Sequence, residues 1–198
     1  MSRGRRGGKG RGVRVTGGEH KGRQLAVPRG ARPTEGRVRE ALFSIWTPRL
    51  PRARFLDLFA GSGVVAVEAV GRGALSAVAV ERDPRALGRL QATVEDLGLE
   101  GIVEILRGDL PDALTDLAAR GLGPFDLVFA DPPYDFPRYE ELLCAVPAVL
   151  AEGGDFALEH SGRLKTPVEM GELVRTDRRR YGDSALSFYR RPVSFSRE

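Results

Sequence analysis

Cysteine and histidine are nearly missing from this chain. Its 198 residues include one cysteine, Cys144, and two histidines, His20 and His160. A single thiol excludes an intramolecular disulfide and any zinc site built on cysteines, and two imidazoles give little for a structural metal, so no metal is expected. Nor is there an uninterrupted apolar run of the ~18 to 20 residues needed to span a bilayer. The opening Met1–Gly12 stretch is basic, but no apolar segment follows it as in a secretory leader. A membrane partner is therefore not expected, and cytoplasm is the default compartment. Hydrophobic residues make up 41% and charged residues 29%, a mixture able to bury a core.

The charge is unevenly spread. Residues 1–54 hold 15 lysines and arginines against Glu19, Glu35 and Glu40, a net of +12, whereas residues 55–198 carry a net of −8. Of the 31 basic residues, 28 are arginine, the side chain suited to bidentate phosphate contacts and to stacking on bases. A basic front on an acidic body suggests a polyanion met by the front, nucleic acid above all. Arginine-rich coding bias with a solubilising tail is the plainer alternative.

Three segments follow. Residues 1–12 include five glycines and no large apolar side chain, so they read as a disordered basic tail. Residues 13–53 read as a docking unit: strands Val13–Val15 and Gln24–Val27 form a hairpin around Gly17, Gly18 and Gly22, and a helix opens at Pro33-Thr34 with Thr34 as cap. Val38, Ala41, Leu42 and Ile45 make that helix's apolar stripe, which leaves Arg37 and Arg39 off it and free to reach a ligand.

Residues 54–198 alternate strands with helices. Strands are expected at 54–59, 76–80, 102–106, 125–130 and 156–159, with a loop at Gly153-Gly154 and a closing hairpin of 173–178 and 185–190 around Tyr181-Gly182-Asp183. Asp83 and Pro84 start one helix and Gly98 ends it. Such alternation implies a mainly parallel sheet with helices on both faces, whose ligands bind where the strands end. Four sites fall on that edge. Asp57-Leu58-Phe59-Ala60-Gly61-Ser62-Gly63 is a turn whose glycines allow a ligand to approach the backbone. Glu81 stands where an acid can accept from ribose hydroxyls, and Asp109 where one can accept from an adenine amine, although Asp109 could equally cap the next helix. Asp131-Pro132-Pro133-Tyr134 is the most specific: two prolines enforce an extended turn that aims the Asp131 carboxylate and the Pro132 carbonyl as acceptors, with Tyr134 as an aromatic plate. That set suits a planar base bearing an exocyclic amine.

Cys144 reads as a buried small apolar residue, His160 as structural and Trp46 as helix packing; Arg178-Arg179-Arg180 is either a second phosphate contact or a solvated hairpin end.

These residues resemble the class I S-adenosylmethionine-dependent methyltransferases, and within them the amino-methylating group with an Asp/Asn-Pro-Pro-Tyr/Phe motif. Together with Arg14-Val15-Thr16-Gly17-Gly18, Lys21-Gly22-Arg23 and the Arg32-Pro33-Thr34 helix bearing Arg37 and Arg39, the chain is similar over residues 13–191 to the bacterial 16S rRNA guanine-N2 methyltransferases of the small ribosomal subunit. The resemblance implies a Rossmann-like fold with a seven-stranded, mainly parallel sheet. It implies S-adenosyl-L-methionine held by Asp57, Phe59, Gly61, Gly63, Glu81, Arg82, Asp109 and Leu110. The target, guanine-966 in the family, would be held by Asp131, Pro132, Pro133 and Tyr134. Arg14, Lys21, Arg23, Arg32, Thr34, Arg37 and Arg39 would bind rRNA, as naked 16S rRNA, the small subunit or an assembly intermediate, by a chain acting as a monomer. A DNA adenine-N6 or cytosine-N4 methyltransferase, and a non-catalytic RNA-binding protein retaining a dinucleotide, are the alternatives.

Overall fold

Nearly every residue of the central strands is apolar and buried on both faces, the pattern that requires helices above and below a parallel sheet. The computed structural model describes residues 12–26 and 36–193; the basic tail, Arg32 and the Thr34 cap lie outside them. A two-stranded antiparallel ladder comes first, β1 (Gly12–Arg14) against β2 (Gln24–Ala26), followed by α1 (Gly36–Trp46). The large sheet is built from β3 (Arg54–Leu58), β4 (Ser76–Glu81), β5 (Val103–Arg107), β6 (Phe125–Ala130), β7 (Leu150–Ser161), β8 (Glu169–Met170), β9 (Leu173–Tyr181) and β10 (Ser184–Arg190). Between them lie α2 (Val64–Gly71), α3 (Pro84–Leu97), α4 (Ala113–Ala119) and α5 (Tyr139–Ala145), the last followed by a single 3-10 turn.

The strand order is β5-β4-β3-β6-β7-β10-β9-β8. The first five strands are parallel, and β10 inserts antiparallel between β7 and β9. Seven strands carry the fold; β8 is a two-residue extension of the edge. Alternation along β3 divides the core: Phe55 packs with α1, α2 and α3 on one face, Leu56 and Leu58 with α4 and α5 on the other. Trp46 of α1 is 1% exposed and meets Phe55 and Phe188 edge-on, at 6.0 and 6.1 Å. The N-terminal unit therefore shares the main core.

Three expectations change. Gly153-Gly154 lies inside β7, where the ladder to β6 slips its register; Gly153 takes a left-handed φ of 71° and the strand continues past it. Cys144 is exposed, because Leu142 and Leu143 already fill the inward face of α5 and the next residue turns away from it. Arg39 is buried, as described below. His160 is fully buried in β7 and bonded to Ser161 O and Ser187 Oγ, each at 2.8 Å.

Candidate active site

Register fixes the geometry of the carboxyl edge. Leu58 pairs with Val80 on one side and with Ala130 on the other, so the residues next in line, Phe59, Glu81 and Asp131, emerge side by side. The Asp131 N–H points to Leu58 O at 3.4 Å, and Ala60 N–H donates to Val80 O at 3.0 Å.

In the turn after β3, Phe59, Gly61 and Gly63 all have positive φ, at 63°, 54° and 71°. Left-handed geometry is costly for phenylalanine. Phe59 is held there by Phe136, which meets it edge-on at 5.1 Å and is in turn met by Tyr139 at 5.5 Å. Gly63 has a second reason to be glycine: a Cβ would lie 2.0 Å from Leu90 Cδ1, so α3 could not pack as it does.

Glycine at the start of α2 cannot cap the helix with a side chain. Asp57 does this from the neighbouring strand, its Oδ2 accepting the Ala66 N–H at 3.1 Å. Its carboxyl is 1% exposed, and burial pushes its pKa up to about 8, with the nearby charges of Asp131 and Glu81 adding to the rise. Three carboxylates thus converge on one cleft, and Asp57 has no cationic partner among the described residues. Glu81 ties the cleft together: Oε2 accepts from Gly61 N–H at 2.8 Å, while Oε1 accepts from the N–H groups of Arg82 and Asp83 at 2.8 and 2.9 Å.

Asp109 is not the cap of α4. That helix begins at Ala113, beyond Asp112, and the Asp109 side chain instead meets exposed Arg82 at 3.4 Å. Leu110 is buried in the core below. On the other side of the cleft, Pro132 is buried, Pro133 exposed, and Tyr134 is 39% exposed with its hydroxyl hydrogen-bonded to Ser184 Oγ at the start of β10. Phe136 and Tyr139 were not anticipated as site residues, although aromatics at 134, 136 and 139 just past the double proline were a visible signal. The Tyr139 hydroxyl donates to Pro133 O at 3.4 Å. Burial, reinforced by Asp131, Tyr134 and Asp135, pushes its phenol up to about 12, so it stays a donor at neutral pH.

The basic front separates into two kinds of residue. Arg14, Lys21, Arg23 and Arg37 are exposed. Arg39 is 1% exposed and corrects the sequence reading: its Nε lies 3.3 Å from Glu68 Oε1 and its Nη2 donates to Arg14 O at 2.6 Å. Glu68, on α2, also accepts from Thr16 N–H at 2.7 Å and pairs with Arg72 at 3.4 Å. Arg39 sits beside the apolar stripe of α1, where that buried carboxylate takes it into the core.

An open sheet of this order, with an inserted antiparallel strand and an acid-ringed cleft at its carboxyl edge, is the architecture of the Rossmann-like class I methyltransferases. Comparison with known proteins narrows this. The chain belongs to the family described as Conserved hypothetical protein 95, whose model matches residues 13–190. It is 34% identical over 183 residues to YlbH of Bacillus subtilis, covering 90% of this chain and 99% of that one. Ribosomal RNA small subunit methyltransferase D of Escherichia coli is 35% identical over 161 residues, covering 80% of this chain and 77% of that one. Among solved structures, a hypothetical protein of Thermus thermophilus superposes with a TM-score of 0.77 at 36% identity, covering 89% of this chain and 98% of that one.

Proposed function

We propose that this protein transfers a methyl group from S-adenosyl-L-methionine to the exocyclic N2 of a guanine in small-subunit rRNA. The observation that carries the reading is the convergence of Asp57, Glu81 and Asp131 on one cleft beside the glycine turn, whose Gly61 N–H is held by Glu81. A buried carboxylate with a raised pKa and no cationic partner among the described residues suits a ligand that is itself cationic, and an amino acid bearing a sulfonium carries two positive charges. When bound, that cofactor supplies a methyl group already activated by the positive sulfur. The chain's residues then have two tasks. Asp57, Phe59, Gly61, Gly63 and Glu81 form the cradle, with Arg82, Asp109 and Leu110 at its outer end.

Asp131 and the Pro132 carbonyl address the harder partner, a guanine N2 whose lone pair is delocalised into the ring. Accepting its two N–H groups aims the lone pair and stabilises positive charge gathering on nitrogen. Tyr134 replaces the stacking lost when the base leaves its neighbours. Ribosomal RNA as substrate draws on the name of the E. coli relative. An exocyclic amine as target draws on the two acceptors beside the aromatic plate, and the choice of guanine N2 among such amines draws on the resemblance of the motifs to the guanine-N2 methyltransferases. Exposed Arg14, Lys21, Arg23 and Arg37, with Arg32 and Thr34 of the adjoining segment, would meet RNA phosphates.

Tritiated methyl transfer to small ribosomal subunits and to duplex DNA, followed by mass spectrometry of the nucleosides, tests this. N2-methylguanosine in rRNA is expected; label in DNA alone overturns the reading. Asp131→Ala should lower turnover by about 10²- to 10³-fold while leaving S-adenosylhomocysteine affinity nearly unchanged.

A further inference from the structure

The arginines of the terminal hairpin differ from the other charged residues of the acidic body. Between residues 162 and 183 the chain carries Arg163, Lys165, Arg175, Arg178, Arg179 and Arg180 against Glu169, Glu172, Asp177 and Asp183, with the two glutamates at the start of β9, the end remote from the site. Register assigns these side chains to faces. Arg178 pairs with Ser187 and Arg180 with Ala185, whereas Arg179 pairs with Leu186, whose side chain packs into the opposite core. Residues paired across an antiparallel ladder share a face, so Arg178 and Arg180 look one way and Arg179 the other. Their partners differ accordingly. Arg179 Nε is neutralised by Asp177 at 2.7 Å. Arg178 Nη2 is held by the carbonyls of Gly162 and Leu164 at 2.9 and 3.4 Å, and Arg180 Nε by Gly182 O at 2.9 Å. Arg175 Nη1 likewise donates to Thr166 O at 2.6 Å. Carbonyls orient a guanidinium without cancelling its charge. Among the described residues, Arg163, Lys165, Arg178 and Arg180 have no carboxylate partner.

This cluster lies on the edge that carries the cleft. Ala130, Leu158, Ser187 and Arg178 form one row across β6, β7, β10 and β9, so Arg179 and Arg180 extend past it, level with the acceptor turn. Three strand spacings place the row's end about 14 Å from β6. The hairpin is tied to the acceptor motif itself by the hydrogen bond between Tyr134 and Ser184, the first residue of β10. We infer that Arg178 and Arg180, with Arg163 and Lys165, form a second phosphate-binding surface, which takes the RNA backbone a few nucleotides from the methylated base. The inference rests on the RNA reading of the site. It places the substrate strand across the C-terminal hairpin rather than on the N-terminal unit alone. His160 beneath the cluster senses the same field: burial lowers its pKa, and the charges of Arg178 and Arg175 lower it further.

The test measures binding of in vitro transcribed 16S rRNA across a salt series, with S-adenosylhomocysteine affinity and thermal unfolding followed alongside. R178Q/R180Q should raise Kd several-fold and flatten the slope of log Kd against log salt by about 0.7 per contact, ~1.4 for the pair. KM for rRNA should rise with kcat retained at saturation. R163E/K165E should act in the same direction, and those two side chains have no carboxylate partner among the described residues to disturb. R179Q should match the unsubstituted protein. Unchanged Kd and slope in R163E/K165E overturn the inference, whatever R178Q/R180Q does to folding. Rising Kd in both double variants, together with no methyl transfer to rRNA by the unsubstituted protein, would instead keep the surface and overturn the assigned reaction.

Discussion

Two carboxylates are buried against helix α2, and they are kept in opposite ways. Glu68, fully buried, receives Arg39, Arg72 and the N–H and hydroxyl of Thr16. Asp57, buried to the same degree at the other end of the helix, accepts the Ala66 N–H, faces two further acids and has no cation among the described residues. The first is a charge-compensated network that fastens the N-terminal unit to the body. The second is an acid whose charged form nothing nearby balances, so that it holds its proton to about pH 8, and such a perturbed group marks a place for a ligand. Burial alone does not distinguish structure from function; the sign and completeness of the surrounding partners do. The arginines teach the same lesson, since Arg39 is spent inside the protein while Arg178 and Arg180 keep their charge for something outside it.

Removing the Glu68 carboxylate is the harshest way to break this contrast. Glu68→Ala takes from buried Arg39 the carboxylate it meets at 3.3 Å and from Arg72 its ion pair, and about 3–5 kcal/mol of stability should be lost in thermal or denaturant unfolding; a loss below ~1 kcal/mol would show the network to be dispensable. Asp57→Asn should do the reverse. In the folded protein Asp57 keeps its proton up to about pH 8, whereas the unfolded chain releases it near pH ~4. Between those values the folded state binds more protons, so this residue's contribution to stability falls as pH rises and levels off above pH 8. Asparagine keeps the cap without the charge. The variant should match the parent at pH ~4 and exceed it at pH ~8 by ~1 kcal/mol or more in denaturant titrations. Parallel stability curves for the two proteins would count against the raised pKa. The mildest test compares residues two apart on α1: Arg37→Gln should shift stability by no more than ~0.5 kcal/mol, and Arg39→Gln by clearly more.

Much of this was legible from sequence because the strands are short apolar runs ended by acids and the helices carry explicit signals. Asp83 accepts from Arg85 and Ala86 N–H, with Pro84 in the first turn and Gly98 closing α3 at a φ of 66°. Periodicity reads burial by residue type, however, and so it misplaced the residues whose environment breaks type. It excluded Arg39 from the core because nothing local reveals a glutamate 29 positions away. It buried Cys144 among apolar neighbours, and it took two glycines for a loop where β7 absorbs a bulge. Gly17 and Gly18 read as a turn, yet their tightest demand is tertiary: a Cβ on Gly17 would lie 2.0 Å from Arg72 and one on Gly18 2.5 Å from the Gly71 backbone. Phe136 and Tyr139 escaped notice because their role is to support other residues rather than to carry chemistry.

The antiparallel insertion of β10 has a practical corollary. Because that strand runs against its neighbours, Arg190 pairs with Asp155, at the end of the sheet remote from the glycine turn. The strand therefore leaves the sheet on the side remote from the cleft, and an affinity handle or fluorophore joined at the C-terminal end of the chain would start from that side, away from the acid-lined cleft, for immobilisation or single-molecule work.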